Sequence, residues 1–107
     1  MIVVSRFRVP DEDGTAFRAD AHGALAALAA RPGYVGGQVG RNVDDPSLWV
    51  LTTTWENVGS YRRALSSYDV KVAAVPLLSR ALDEPSAYEV VDAAGSALNE
   101  RGPRELG

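Results

Sequence analysis

The sequence predicts an α+β domain of ferredoxin-like type, ordered β-α-β-β-α-β around an antiparallel sheet. Three observations carry this. Runs rich in β-branched and aromatic residues occupy 2–9 and 48–56. Runs with apolar residues at helical spacing occupy 15–30 and 58–82. Clusters of Asp, Gly, Pro and Ser punctuate the chain between them.

Taken in order, the first strand covers 2–9 and ends at Pro10. Val3, Ser5, Phe7 and Val9 share one face; Ile2, Val4, Arg6 and Arg8 share the other. Asp11-Glu12-Asp13-Gly14 is a turn that puts acid before a helix N-terminus, as the helix dipole favours. The first helix, 15–30, places Phe17, Ala21, Ala24 and Leu28 in one stripe and stops at Arg31-Pro32-Gly33. Residues 34–43 read as a glycine-rich strand, where Gly36, Gly37 and Gly40 suggest a bulge or a close backbone approach. After the turn Asp44-Asp45-Pro46-Ser47, residues 48–56 form the third strand and close a hairpin. Trp49, Leu51, Thr53 and Trp55 lie on one face of it; Val50, Thr52, Thr54 and Glu56 lie on the other. Asn57 can cap a helix over 58–66. Residues 69–82 continue helically, with a break expected at Pro76. A last strand is expected over 86–92, which makes 1–92 the domain. Residues 93–107 carry no periodic apolar pattern and are expected to form a loose, flexible tail.

Composition limits the chemistry. At 107 residues, with 46% hydrophobic and 23% charged, the chain can bury a core without disulfides or a metal. It has no Cys, one Met and one His. That removes thiol nucleophiles, iron–sulfur clusters and cysteine zinc sites, and leaves His22 as the sole imidazole. No metal site is expected. The net charge of −3 offers no basic field for nucleic acid. The longest apolar run, 24–30, is far short of the ~20 residues of a membrane span, so no membrane partner and a cytoplasmic location are expected. The glycines of 33–40 are no dinucleotide fingerprint, because no helix N-terminus follows them to hold a phosphate.

Helices in this arrangement cover one sheet face. The other would leave Ile2 and Val4, or Val35 and Val39, in water beside Val50. Such a patch marks a partner surface, and a second copy related by two-fold symmetry covers it most simply, so a homodimer is expected.

Several segments together resemble the antibiotic biosynthesis monooxygenase (ABM) domain family of the dimeric α+β barrel superfamily. They are the first strand Val3-Val4-Ser5-Arg6-Phe7-Arg8-Val9, the helix exit Arg31-Pro32-Gly33-Tyr34 and the junction Thr54-Trp55-Glu56-Asn57 with Tyr61 after it. Pro76-Leu77-Leu78 and Tyr88-Glu89-Val90-Val91 complete the pattern. The resemblance implies face-to-face dimers and a ligand cavity between each sheet and its own helices. It implies either oxygenation of aromatic polyketide intermediates by molecular oxygen without a bound cofactor, or heme degradation.

By that resemblance Trp55 and Tyr61 are the candidate catalytic residues, Trp55 as a cavity wall and Tyr61 as a phenol that hydrogen-bonds a substrate or relays a proton. Ser5, Phe7, His22, Leu51 and Arg80 are the candidate substrate-binding residues. Trp55 as core and Tyr61 as amphipathic packing are the plain structural alternatives. His22, on the border of the helix stripe, is either a proton acceptor at the pocket rim or simply exposed. Heme-degrading relatives carry an asparagine where Ser5 stands and a histidine iron ligand in the stretch that is Lys71-Val72-Ala73-Ala74-Val75 here, so heme degradation is not expected. The oxygenases carry an asparagine where Leu51 stands and an arginine near Val75, for which Arg80 is the nearest substitute. Two functions are compatible with these residues. One is a cofactor-independent monooxygenase of a small aromatic, polyketide- or quinol-like; the other is a non-catalytic homodimeric module that binds a small molecule or serves in stress. A central pocket packed shut by Leu51, Phe7 and Trp55 favours the second; an open cavity of ~300 Å³ or more favours the first.

Overall fold

The computed structural model describes residues 1–95. Four strands form one sheet in the order β2-β3-β1-β4, with β1 at Ile2–Arg8, β2 at Tyr34–Arg41, β3 at Leu48–Trp55 and β4 at Ala87–Tyr88. All pairings are antiparallel. The helices are α1 at Gly14–Ala29, α2 at Val58–Leu65, α3 at Tyr68–Ala73 and α4 at Val75–Leu78. This is the α+β ferredoxin-like fold expected from the order of the elements.

Alternation decides which side of the sheet is covered. Val3, Ser5 and Phe7 on β1 and Trp49, Leu51, Thr53 and Trp55 on β3 are all buried. The α1 stripe Phe17, Ala21, Ala24 and Leu28 packs over them. On the opposite face Ile2 is 37% exposed, and Arg6 and Arg8 are held in ion pairs with Glu84 and Asp45 at 2.7 and 2.6 Å.

The acidic turn is a 3-10 segment over Asp11–Asp13 that runs straight into α1. Its backbone bonds, including Asp13 N–H to the Pro10 carbonyl at 2.9 Å, replace a side-chain cap at the start of α1. Past the other end of α1, Gly33 takes φ 88°, a conformation that side chains disfavour. A Cβ there would lie 2.3 Å from both the Cβ and the Oγ of Ser60. The Gly33 carbonyl accepts from Glu56 N–H at 2.8 Å, so the helix exit is tied to the end of β3. Asn57 caps α2 as expected, its Oδ1 accepting from Ser60 N–H at 2.8 Å. The break in the later helix falls at Ala74, so that Pro76 sits in the first turn of α4, where its missing N–H costs nothing.

Two expectations are corrected. β2 is bulged between Tyr34 and Gly36, which shifts its alternation and places Val39 opposite Leu51 on the covered face rather than on the open one. β4 spans two residues instead of 86–92 and pairs only with Ile2 and Val3. Val90 and Val91 lie outside it, 52% and 88% exposed. β propensity made them look like strand, but propensity reports fit to a pleated surface, and no neighbouring strand is paired to them. Of the expected tail, 93–95 have no regular secondary structure, and 96–107 lie outside the described residues.

Candidate functional site

Two aromatic clusters stand at opposite ends of the covered sheet face. At one end Trp55 lies between Tyr34, edge-on at 5.3 Å, and Tyr61 at 5.6 Å between ring centroids. Its indole N–H donates to Thr53 Oγ1 at 2.9 Å. The chain's first residue clamps the same strand end: the Met1 amine donates to the Trp55 carbonyl at 2.8 Å, and Trp55 N–H donates to the Met1 carbonyl at 2.9 Å. Burial alone pushes the Tyr61 and Tyr34 phenols above the usual phenol range, so both are neutral donors at neutral pH.

At the other end Phe7 meets Phe17 at 5.0 Å, and Phe17 meets Trp49 edge-on at 5.2 Å. Phe7 therefore does not neighbour Trp55, as its place on the same face suggested. The antiparallel register sets Phe7 against Trp49 and Ser5 against Leu51. Leu51 and Trp55 are four residues apart on β3, about 13 Å along the strand.

Between the clusters the layer is closed. Phe7, Trp55 and Leu51 are 1%, 1% and 2% exposed. Ser5, itself buried, instead borders a cleft of about 390 Å³ at the edge of β1, walled by Val4, Leu78, Ala81, Leu82 and Ser86. The short β4 is the cause. It pairs with β1 only at Ile2 and Val3; beyond them β1 is bridged by Val4 N–H to the Ser86 carbonyl and by Leu82 N–H to the Arg6 carbonyl, at 2.7 and 2.8 Å.

Arg80 does not line the Ser5 cleft, although its chain neighbours Ser79 and Ala81 do, and it is no part of the Trp55 cluster. Its guanidinium lies 5.6 Å from the Phe17 ring centroid and 3.5 Å from Asp20, bordering a second cleft of about 420 Å³ between α1 and the α3–α4 segment. His22 is exposed on α1 and lines neither cleft. The structure thus brings Trp55 and Tyr61 together, sets Ser5 and Leu51 side by side with Phe7 next along the same face of β1, and leaves His22 and Arg80 outside both groups. Sequence reasoning missed Tyr34 and Thr53 as the partners of Trp55. The bulge signal in the glycine-rich strand was the available pointer to Tyr34, because only the bulge turns it toward Trp55. Among the described residues no cluster of three or more His, Asp or Glu side chains suits a metal ion, and no helix is long and apolar enough to cross a membrane.

A family model described as antibiotic biosynthesis monooxygenase matches residues 1–75. A single-site variant of SnoaB, a cofactor-independent oxygenase from Streptomyces nogalater, superposes with a TM-score of 0.74 at 21% identity, covering 89% of this chain and 96% of that one. Rv0793 from Mycobacterium tuberculosis gives 0.68 at 18% identity, covering 88% and 97%. A conserved protein from Methanosarcina mazei Go1 gives 0.65 at 22%, covering 80% and 84%. No curated protein sequence matches the chain. At such identities the structural likeness establishes the fold, and the family rests on the sequence model: the chain belongs to the antibiotic biosynthesis monooxygenase family.

Proposed function

We propose that the chain is a cofactor-independent monooxygenase that oxidises a small, electron-rich aromatic, polyketide- or quinol-like, with molecular oxygen. Family membership supports the reaction class. The observation that carries it is the cleft of about 390 Å³ beside the buried Ser5 hydroxyl, between the β1 edge and the residues after α4. It is large enough for a small aromatic and offers apolar walls at Val4, Leu78 and Ala81.

An activated methylene or phenol of such a substrate, once deprotonated, donates an electron to dioxygen. Recombination at carbon and loss of water from the hydroperoxide convert the methylene and dioxygen into a carbonyl and water. The protein has only to bind the substrate, exclude water and stabilise the anion. In this reading Ser5 Oγ donates to the substrate oxygen, while the Tyr61 phenol, held against Trp55, lies outside this cleft and takes no part at it.

The working unit in this reading is a homodimer, joined through the open sheet face where Ile2, Val4 and Val50 are flanked by the Arg6–Glu84 and Arg8–Asp45 pairs. Light scattering behind size exclusion is expected to give twice the chain mass of 11.4 kDa. Oxygen uptake with a panel of anthrones and hydroquinones tests the activity. Turnover above buffer that drops in Ser5→Ala supports it; no turnover across the panel overturns it.

One observation favours a second reading, a non-catalytic dimeric module that binds a small molecule. Leu51 closes the centre of the layer, between the ends that Phe7 and Trp55 fill, where the resemblance places the cavity. Saturable binding of a hydroquinone without oxygen uptake identifies that case.

A further inference from the structure

A third cleft, of about 420 Å³, opens at the β2 edge of the domain, between the start of α1 and the hairpin end of β2 and β3. Asp11, Thr15, Arg18, Val39, Arg41 and Trp49 line it. None of them borders the Ser5 cleft, so a ligand held here is independent of the proposed oxygenation.

Acidic residues outnumber basic ones, 14 to 11. The sheet arginines Arg6 and Arg8 each hold a carboxylate, and Arg80 holds Asp20. Among the described residues Arg18 and Arg41 hold none, as is also true of Arg31, Arg62 and Arg63, but Arg18 and Arg41 share one cleft, with Asp11 beside them. Arg41 is set in place by other means. Its guanidinium lies over the Trp49 ring, 5.3 Å from the centroid, and its strand position is fixed by pairing with Trp49. Trp49 is in turn locked edge-on against Phe17. One arginine is thus held on a rigid strand, the other projects from α1, and the Thr15 hydroxyl stands one helical turn before Arg18.

We propose that this cleft is a binding site for a small oxyanion-bearing molecule, a carboxylate or a phosphate. Arg18 and Arg41 grip the oxyanion. Two guanidinium forks match the planar or tetrahedral array of acceptor oxygens, and Thr15 supplies a third donor. Val39 and the Trp49 edge give an apolar shelf for the rest of the ligand. Asp11 at the rim sets the limit on charge, so a ligand with one oxyanion group is preferred over a polyanion.

The test uses the full chain and three probes: inorganic phosphate, benzoate, and benzyl alcohol as the uncharged counterpart of benzoate. Binding is followed by Trp49 emission and by backbone amide shifts of residues 14–18 and 39–41. Benzoate or phosphate is expected to bind saturably and benzyl alcohol at least ten-fold more weakly. Binding by benzoate alone identifies a carboxylate site, and binding by phosphate alone a phosphate site. Arg18→Gln and Arg41→Gln are each expected to weaken the preferred anion ten-fold or more, with Arg41→Lys intermediate because it keeps the charge and loses the fork. Thermal melts confirm that the variants are folded. Equal binding of benzyl alcohol and benzoate, anion binding unchanged in both glutamine variants, or no saturable anion binding at all overturns the proposal.

Discussion

Trp55 donates its indole N–H to Thr53 Oγ1, two residues back on the same strand and on the same buried face. The largest fully buried side chain of the domain therefore has its one polar atom satisfied within the sheet. Thr53→Val keeps the shape and removes the acceptor. The indole N–H is then buried without a partner, which costs about 1–3 kcal/mol. Urea unfolding of Thr53→Val and wild type measures the difference; a loss below about 0.5 kcal/mol would mean that Trp55 finds another acceptor.

Gly36 and Gly37 are neighbours on β2 with opposite surroundings. A Cβ on Gly37 would meet the Thr52 carbonyl oxygen and Leu25 Cδ2 at 2.9 Å, and the Tyr34 hydroxyl at 2.5 Å; one on Gly36 would meet nothing within 4 Å. The Tyr34 hydroxyl can swing away, but the Thr52 carbonyl belongs to the adjacent backbone. Gly37→Ala is expected to cost about 1–3 kcal/mol, and Gly36→Ala to stay within about 0.5 kcal/mol of wild type. Comparable thermal melts for the two variants would show that β2 yields at Gly37 without penalty.

Much of this was legible from residues alone, and the failures have one cause. The buried set Val3, Ser5, Phe7, Leu51, Thr53 and Trp55 followed from simple alternation, and the Asn57 cap followed from residue type, because both are local. Register is not local. Nothing in the sequence of β1 says that Phe7 faces Trp49, and so the aromatics read as one site where the fold builds two. The same limit misplaced Val39, whose face depends on a bulge earlier in the same strand, and extended β4 through Val90 and Val91, whose strand character needs a pairing partner. The resemblance points to Ser5, but its cleft exists because β4 is short, which no residue of β1 records.

The Tyr61 and Tyr34 phenols are both pushed up by burial. The folded protein holds these protons after the unfolded chain has released them. Stability is therefore unaffected below the ordinary phenol value near ~10 and falls as pH rises through the raised folded values. Absorbance titration at the phenolate band is expected to show a late-titrating component that shrinks in Tyr61→Phe and again in Tyr34→Phe. A curve for Tyr61→Phe that loses only the early component would remove the case for Tyr61 as a neutral donor.

Acid acts on the other face of the sheet. Arg6 holds the Glu84 carboxyl below the usual carboxylate range by hydrogen bond and charge, and Ser47 and Arg8 do the same for Asp45. Here the unfolded chain takes up protons first. The contribution is complete above the ordinary carboxylate values of about 4 and is lost as pH falls through the depressed folded ones. Glu84→Gln should flatten the loss of stability as pH falls below the ordinary carboxylate range, and Asp45→Asn should flatten it further. Both pairs are exposed, so raised salt should shrink the effect. Wild type and Glu84→Gln melts that stay parallel as pH falls below that range would show that the pair does not hold in solution.

Leu51 decides where on the covered face an aromatic can bind. It lies opposite Ser5 and Val39, in the middle of the closed layer between the aromatic clusters. Leu51→Ala removes buried volume there at a cost of about 2–5 kcal/mol, the spread depending on how far the layer collapses. The β1 and β2 strands on either side of Leu51 are both paired to β3 along its length, which resists collapse and leaves an apolar void. Such a void takes up small aromatics, so benzene or toluene is expected to raise the melting temperature of Leu51→Ala and leave that of wild type unchanged. If wild type responds equally, the layer already opens in solution, and the centre of the sheet joins the Ser5 cleft as a site for the substrate. If only the variant responds, the chemistry is confined to the β1 edge, and Ser5→Ala should alter aromatic binding while Trp55→Phe leaves it intact.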